Sequence, residues 1–317
     1  MDARRLLLLG LLAGSGLALF GSCRAPDRSA AAPEATPPHL AAIAAELAAL
    51  PPSVRAAVWA GPAGGEPELA WRAAAPMPAA SAIKAALLVE LFAAHPEALD
   101  RPLPCAALFL GDRSHPGQSH FPAAQQLAAQ RALGTATVRE IGAIMITGEG
   151  VDNATYNLAA NLVIAHFDGP AVCSQRLAAR PAWQGLAVRR YMLADRTQHG
   201  DNEATATALA AVHASLARRH LPGVSRLAID AARAVLTGPI DALGRATFRK
   251  GGSLDSEPVT RVEAGWTEGP QGAYVHVVML AQDAVPEPDR SAAGERLTTL
   301  ARDLARRLQF AATPPTK

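Results

Sequence analysis

The sequence predicts an α/β (α+β) fold, in which an antiparallel sheet is flanked by helices and an all-helical lobe is inserted into the chain. Three observations predict it. Two strand-like segments joined by a Gly/Pro-rich turn occur early, a long helical stretch follows, and three strand-like segments return late before a final helix. We therefore expect the early and late strands to share one sheet, with the helical stretch forming a second lobe.

The early elements follow from the spacing of apolar residues. Leu40, Ile43, Leu47 and Leu50 recur at helical spacing, which predicts a first helix. The segments "SVRAAVWAG" and "PELAWRAAA" are rich in strand formers and are separated by a Gly/Pro-rich turn at residues 61–66. Together they predict a strand hairpin.

The middle of the chain, from Ser81 to about Gly244, has mainly helical patterns. The expected helices include residues 81–94, 153–166 and 203–219. The stretch "TVRE", from Thr137 to Glu140, has the pattern of a capping box, in which two side chains satisfy free backbone N–H groups at a helix start. Another helix is therefore expected to begin there.

Strands are expected again at "ATFRKGG", "VTRVEAGWT" and "AYVHVVMLA". The last segment, Arg290 to Phe310, carries Leu297, Ala301, Leu304 and Leu308 on one helical stripe. Such a stripe predicts a helix that packs with one face on the sheet.

The composition limits the possible functions. The 317 residues allow one large domain or two intimate subdomains, and a net charge of +2 provides no electrostatic basis for binding nucleic acid. Only three of the 30 basic residues are lysines: Lys84, Lys250 and Lys317. Arginine keeps its proton, whereas a desolvated lysine can lose it, so each lysine is informative.

The N-terminus has the order of a secretory signal: Arg4 and Arg5, an apolar run from Leu6 to Phe20, and small residues before Cys23. The stretch "LFGSC" resembles a bacterial lipobox, which implies that Cys23 is lipidated and becomes the new N-terminus. The alternative is an ordinary signal peptide that happens to contain a cysteine. Residues 1–23 are thus expected to be a lipoprotein signal peptide.

The segment "RAPDRSAAAPEATPP" is rich in Pro, Ala and charge, which predicts a flexible linker between anchor and domain. The expected divisions are a linker at 24–38 and a folded domain at 39–317, with an α/β lobe at 39–80 and 245–317 and a helical lobe at 81–244.

No cofactor or metal is expected. Cys105 and Cys173 lack a nearby cluster of histidines, and the chain has no H-E-x-x-H pattern, so a zinc site is disfavoured. In an exported protein the two cysteines could form a disulfide or remain thiols, and the sequence leaves both possibilities open.

The stretch "AASAIKAALLVE" contains the first candidate site. Between Ser81 and Phe92 only Lys84 and Glu90 are charged, so most faces of this helix should be buried. A buried lysine tends to be paired or neutral, and a neutral amine is a base. Ser81 lies three residues earlier on the same face, at the helix N-terminus, which predicts a serine nucleophile activated by Lys84. The alternative is a capping serine with a lysine that reaches solvent.

The segment "VDNATYNLAANLV" places three of the four asparagines, Asn153, Asn157 and Asn161, four residues apart. They therefore lie on one helix face. This face could be solvated or hold a loop in place. Alternatively, Asn153 presents its amide to a bound substrate or to Lys84.

Lys250 ends the strand-like segment "ATFRK" and precedes Gly251, Gly252 and Ser253. Glycine after a strand residue lets a ligand or another backbone approach closely. A cation at this position could bind an anionic substrate group, although it could also be an ordinary lysine before a turn.

The order S-x-x-K, Asp-Asn before a helix, and a late lysine followed by glycine resembles the penicillin-recognising serine enzymes, namely class A β-lactamases and their penicillin-binding relatives. The segments "TVREIGAIMITGEGVDNATYNLAANLV" and "YMLADRTQHGDNEATATALAAV" resemble the family's S-D-N region and its omega loop with the following helix. The resemblance covers roughly His39 to Phe310 and implies a β-lactamase/transpeptidase-like fold.

The resemblance implies a role for each candidate residue. Ser81 would be the acylated nucleophile and Lys84 its proton acceptor. Asn153 would bind the substrate amide side chain, and Lys250 would attract the substrate carboxylate. The backbone N–H groups of Ser81 and Ser253 would form the oxyanion hole.

The glycine of the K-T-G motif corresponds to Gly252, and Arg261 on the next strand would be the auxiliary arginine that binds a carboxylate. The chain also departs from the family. Val151 replaces the S-D-N serine that relays a proton to the leaving nitrogen, and Gly251 replaces a hydroxyl residue.

The omega-loop glutamate, which activates the deacylating water, is also missing. Tyr191 aligns with that position, and Asp195, four residues on, is a poor substitute. Removing a positioned general base costs on the order of 100- to 10,000-fold in rate. Deacylation is therefore expected to be slow.

The sequence thus predicts an exported serine hydrolase that acts on β-lactams or related acyl and amide substrates. The alternative is a non-catalytic or DD-peptidase-like lipoprotein that binds penicillin or peptidoglycan. An α/β-hydrolase is disfavoured because no G-x-S-x-G pattern occurs. The expected partners are a small β-lactam or peptidoglycan-derived molecule and a membrane reached through the lipid anchor, at the periplasmic or cell surface, with the protein a monomer.

Overall fold

The computed structural model describes residues 37–311, in which an antiparallel sheet carries helices on both faces. The strands are β1 Val54–Pro62, β2 Leu69–Trp71, β3 Met77–Pro78, β4 Glu203–Ala204, β5 Ala246–Arg249, β6 Gly252–Leu254, β7 Val259–Gly269 and β8 Gly272–Gln282. The expected signal peptide, its Cys23 and nearly all of the linker lie outside the described residues.

Along the chain, most of the helices lie between β3 and β5, and one further helix lies near each end of the described residues. They are α1 Pro38–Ala48, α2 Lys84–Ala94, α3 Ala106–Gly111, α4 Ala123–Leu133, α5 Val138–Thr147, α6 Asn153–His166, α7 Pro170–Ala178, α8 Arg196–His199, α9 Ala206–Ala217, α10 Arg226–Leu236 and α11 Arg290–Ala311. Short 3₁₀ helices cover Ala80–Ile83, Pro181–Trp183 and Glu287–Asp289.

The main sheet joins the early hairpin to the late strands, as predicted. Its order is β2-β1-β8-β7-β5, and β6 also pairs with β7. Arg249 lies opposite Gly265 and Gly252 lies opposite Val262, so β5 and β6 share one register. Lys250 therefore continues the strand between them. The predicted fold class, an antiparallel sheet flanked by helices with an inserted helical part, is confirmed.

The two faces of the sheet bury different side chains because successive strand residues point in opposite directions. Val58 and Leu280 face a core formed with α1 and α11, whereas Trp59 and Val277 face the core of the helical part. The expected stripe on α11 is confirmed. Its buried residues are Leu297, Ala301, Leu304 and Leu308.

Helix α2 is the centre of the helical part, and every residue from Lys84 to Phe92 is buried. Helices α5, α6, α9 and α10 surround it. One difference from the sequence prediction matters for the site. The helix expected over 81–94 starts as a 3₁₀ turn and becomes α-helical only at Lys84, because Ala80 has a positive φ of 47° and the chain turns sharply there.

Other helix ends follow local chemistry. Thr137 and Glu140 form both bonds of the predicted capping box at the start of α5. Helix α6 has the expected bounds, and the Asp152 side chain accepts a hydrogen bond from the Thr155 N–H at its N-terminus. Helix α9 begins later than expected because Glu203 and the next residue pair with β3 as a strand.

The two cysteines in the described residues are free thiols, with Cys105 half-buried and Cys173 buried. Among residues 37–311, no helix combines the length and the apolar character that crossing a membrane requires.

Candidate active site

A cleft of about 1050 Å3 opens where β6 meets the starts of α2 and α6. Basic side chains outnumber acidic ones along its lining. The basic residues are Arg190, Arg249, Lys250, Arg261 and Arg302, and the acidic residues are Asp201, Asp255 and Glu263. This excess of positive charge favours an anionic ligand.

Ser81 lines the cleft, half-buried in the 3₁₀ turn that leads into α2. Strand β6 passes directly beside this turn. A Cβ atom added to Gly252 would lie 2.6 Å from the Ser81 backbone nitrogen and 2.9 Å from that of Ala82. Only glycine permits such an approach, so the strand and the serine are held in contact. The start of the helical run also favours negative charge near Ser81.

Lys84 is fully buried, at 0% exposure, and is not among the cleft-lining residues. Its Nζ donates to Asn157 Oδ1 at 3.1 Å and to the Tyr156 carbonyl at 3.4 Å. Burial, with a smaller contribution from the Lys250 charge, holds the pKa of Lys84 well below its usual range. The amine therefore has the properties of a base.

The sequence predicts that Lys84 activates Ser81, but no direct hydrogen bond joins the two side chains in the structure. Within residues 37–311 the Ser81 hydroxyl has no hydrogen-bond partner, because the Lys84 amine is turned toward α6. There it lies 3.2 Å from the centroid of the Tyr156 ring. The serine and the lysine share one helical segment, but the lysine amine contacts Tyr156 and Asn157 instead of the serine.

Lys250 reaches the same tyrosine from the sheet. Its Nζ donates to the Ile146 carbonyl at 2.9 Å and to the Tyr156 hydroxyl at 2.8 Å, and its side chain is 9% exposed. It lies on the same strand face as Gly252, two residues later, as strand alternation requires. Tyr156 thus lies between the two lysines of the site.

The asparagine row is present on α6, but its members differ in what they touch. Asn153 is exposed and lines the cleft, and its side-chain oxygen accepts a hydrogen bond from Asn157. Asn157, rather than Asn153, contacts Lys84, since it lies one turn further into the protein. Val151 precedes the helix and does not line the cleft.

Asn161, the third member, holds the loop after residue 188. Its Oδ1 accepts from the Met192 N–H at 2.5 Å, and its Nδ2 donates to the Met192 carbonyl at 3.2 Å. Arg190 ties the same loop to Asp201 at 3.2 Å. The loop therefore presents Met192 and the neighbouring Leu193 to the cleft.

The two residues predicted for the deacylation region are not brought to the cleft. Tyr191 packs edge-on against His115, with ring centroids 5.6 Å apart, and burial raises its pKa. Asp195 is exposed and caps the short helix α8 through Thr197. The cleft wall at this point carries the apolar side chain of Met192, which is 6% exposed.

Ser253 and Arg261 both line the cleft and lie opposite each other on β6 and β7. Ser253 is exposed. The Arg261 guanidinium already forms hydrogen bonds within the protein: it donates to Asp255 at 2.6 Å and to Thr298 at 2.7 Å. A substrate carboxylate would have to displace Asp255 to use this arginine, because the other nitrogen already bonds two backbone carbonyls.

A side chain at position 251 would be crowded by the neighbouring strand. A Cβ atom there would lie 2.9 Å from the Val262 carbonyl oxygen and 3.5 Å from Glu263 Oε2. Burial raises the pKa of the Glu263 carboxyl, against the lowering effects of Arg249, Arg302 and Lys250. A carboxylate thus lies in the cleft next to the strand that carries Lys250.

Sequence reasoning missed four residues of the site: Tyr156, Asn157, Met192 and Glu263. The spacing of the asparagines placed Asn157 on the correct face but did not indicate its depth. Tyr156 could have been noticed as one of only three tyrosines in the chain. For Met192 and Glu263 the sequence carries no signal. Within the described part of the chain, no group of three or more His, Cys, Asp or Glu side chains is arranged to hold a metal ion.

No protein-family model matches the sequence, and no curated protein matches it significantly. Solved structures do match. A leucine-to-glutamate mutant of PBP-A, an acyl-enzyme complex with penicillin G, superposes with a TM-score of 0.62 at 18% identity, covering 86% of this chain and 95% of that chain.

Two β-lactamase structures are similarly close. The β-lactamase of Sphaerobacter thermophilus has a TM-score of 0.59 at 19% identity, covering 88% of this chain and 98% of that one. An ancestral class A β-lactamase has a TM-score of 0.58 at 20% identity, covering 86% and 98%. The protein therefore has the β-lactamase/transpeptidase-like fold, and these identities establish the fold alone.

Proposed function

We propose that this protein is a serine acyl-transfer hydrolase that reacts through Ser81 with β-lactams or related acyl and amide substrates. One observation carries the proposal: a cleft-lining serine touches the glycine of the Lys250 strand and is followed, one turn later, by a fully buried lysine. The fold shared with class A β-lactamases and PBP-A supports it. So does the positive lining of the cleft, since penicillins carry a carboxylate.

In the proposed reaction, the Ser81 hydroxyl attacks the substrate carbonyl and its proton passes to the neutral Lys84 amine. Backbone N–H groups of Ser81 and Ser253 lie on the two elements in contact at Gly252, where the developing oxyanion would be held. The cation of Lys250 attracts the substrate carboxylate. The Lys84 amine must leave its bonds on α6 and turn toward Ser81 when substrate binds.

Deacylation is proposed to be slow. A water-activating base would be needed near the ester carbonyl, and the neighbouring loop presents Met192 and Leu193 to the cleft. Loss of such a base costs on the order of 100- to 10,000-fold. The acyl-enzyme should therefore accumulate.

The test is intact-mass spectrometry of the full chain after exposure to benzylpenicillin. We expect a covalent adduct of one penicillin mass that decays slowly, and no adduct on the Ser81→Ala variant. The absence of an adduct with benzylpenicillin, cephalosporins and acyl esters would refute the proposal.

A second candidate is a non-catalytic or DD-peptidase-like lipoprotein that binds penicillin or peptidoglycan. The apolar Met192 on the cleft wall favours it, as does the commitment of Arg261 to Asp255. It predicts saturable binding of a peptidoglycan fragment that persists in Ser81→Ala, measured by titration calorimetry. Turnover that disappears in that variant would exclude it.

The proposed location is outside the cytoplasm, periplasmic or at the cell surface, on a membrane to which a lipid on Cys23 anchors the protein. The order of basic, apolar and small residues before Cys23 supports it. Labelling with a clickable palmitate analogue should depend on Cys23, and labelling that persists in Cys23→Ala would contradict the anchor.

A further inference from the structure

We propose that Tyr156 is the catalytic proton donor to the leaving nitrogen, replacing the relay serine that the S-D-N motif lacks in this chain. The inference rests on the proposed function and deepens it. Tyr156 lines the cleft and is half-buried, so its hydroxyl can reach a bound substrate. The cleft-lining residues close to both lysines include no serine or threonine in contact with them.

The hydrogen bond between Lys250 and Tyr156 has only one possible direction. The Lys250 ammonium has three donors and no acceptor, so in its 2.8 Å bond with Tyr156 the phenol oxygen must accept. The phenol hydrogen is therefore left free to donate to another group. Because Lys250 also holds the Ile146 carbonyl, the tyrosine oxygen is positioned by a cation that is itself anchored.

Lys84 contacts the same tyrosine from the protein interior. Its amine is fully buried and does not line the cleft, whereas the Tyr156 ring, 3.2 Å from it, does. Tyr156 and Asn157 both contact the amine and line the cleft, and of the two only Tyr156 carries a hydroxyl that can accept and pass on a proton. A proton on Lys84 would therefore reach the substrate through this hydroxyl.

The proton transfers balance. Lys84 takes the Ser81 proton as the Ser81 oxygen bonds to the carbonyl carbon, and the tetrahedral adduct then loses its C–N bond. Tyr156 gives its hydrogen to the departing nitrogen, and the phenolate recovers a hydrogen from the Lys84 ammonium when that side chain turns from Ser81 back toward Tyr156. The Lys250 ammonium, bonded to the phenol oxygen at 2.8 Å, stabilises the charge of the transient phenolate.

Tyr156 and Val151, the residue found where the family has its relay serine, occupy different places in the structure. Val151 lies before α6 and outside the cleft, whereas Tyr156 lies one turn into the helix. The hydroxyl thus comes from a different position in the chain and is carried by a longer side chain. It bonds the Lys250 ammonium, to which the Val151 side chain could offer no hydroxyl.

The test uses Tyr156→Phe, which keeps the ring against Lys84 and removes only the hydroxyl. Acylation of Ser81 is followed with benzylpenicillin, whose nitrogen must be protonated, and with p-nitrophenyl acetate, whose leaving group departs without a proton. We expect acylation by penicillin to fall on the order of 100-fold or more and acylation by the ester to change less than about threefold.

The matched control is Tyr274→Phe, which removes a tyrosine hydroxyl outside the cleft, bonded to Glu68 at 2.9 Å in the core on the other face of the sheet. It should leave both rates unchanged. Equal losses with both substrates in Tyr156→Phe, or no loss with either, would overturn the inference and leave the proposed function intact.

Wild-type protein that reacts with the ester but not with penicillin would also overturn it, since no leaving nitrogen would then need a proton. Wild-type protein that reacts with neither would remove the proposed function and the inference together. Thermal unfolding of both variants, expected within about 3 °C of wild type, separates these outcomes from loss of fold.

Discussion

Gly252→Ala tests the contact on which the site depends. In the structure the added Cβ would lie 2.6 Å from the Ser81 nitrogen, 2.8 Å from Ala80 Cβ and 2.9 Å from the Ala82 nitrogen. Two of these three atoms belong to the backbone, so no side chain can rotate away. The strand and the serine turn must therefore move apart.

The size of the movement follows from the distances. Restoring even a tight 3.0 Å contact to the Ser81 nitrogen needs about 0.4 Å, and an ordinary 3.4 Å contact needs about 0.8 Å. A misplacement of about 1 Å at reacting groups can cost about 100-fold in rate. We therefore expect acylation to fall on the order of 10- to 100-fold, about 1.4 to 2.7 kcal/mol in the barrier.

The assay is the second-order rate constant for acylation by benzylpenicillin, measured by quenching and intact mass. Gly111→Ala is the matched control, because a Cβ atom there meets nothing within 4 Å. A Gly252→Ala variant that acylates within about threefold of wild type would show that the strand and the serine are not coupled as described.

Three further predictions concern the lysine, the loop and a buried ion pair. Lys84→Met should lower acylation on the order of 100-fold or more. In wild type, the free energy of unfolding should also rise with pH up to about 10.4, because Lys84 holds a proton in the unfolded protein that it has released in the folded protein. Lys84→Met should lack this contribution. Stability–pH curves that run parallel for the two proteins would contradict this reasoning. Met192→Glu places a carboxylate on the cleft wall and should speed decay of the penicillin adduct about 100-fold; unchanged decay by mass spectrometry would oppose the loop assignment. Glu90→Ala leaves the partly exposed Arg180 without its buried partner and should cost about 2 kcal/mol in urea unfolding, whereas a loss below about 0.5 kcal/mol would argue against the pair.

Local sequence patterns predicted those helices whose residue types and residue spacing both indicate the same structure. The capping box of Thr137 and Glu140 depends on residues three apart, so the sequence contains all of its information. The apolar stripe of α11 is also periodic, and it indicates which face of that helix is buried. The 3₁₀ turn at Ala80–Ile83 was not predicted, because no local pattern signals the positive φ of Ala80 at its start.

The candidate site was predicted in part for the same reason. Ser81 and Lys84 are close in the chain, and the apolar neighbours of Lys84 indicated that it is buried, which the structure bears out. The contacts of its amine were predicted incorrectly, since Tyr156 and Asn157 belong to a helix about 70 residues later. Helical spacing places the asparagines on one face without indicating which one reaches a given partner.

The sequence by itself determined the order of strand and helix regions, that the Lys84 helix is buried, and that a serine precedes this lysine by one turn. These are properties of neighbouring residues and of period. Only the tertiary structure decided that Lys84 lies on the Tyr156 ring, that Lys250 holds the tyrosine hydroxyl, and that the loop presents Met192 rather than Tyr191 to the cleft. Such contacts join distant parts of the chain, and they depend on how the elements pack rather than on any local pattern.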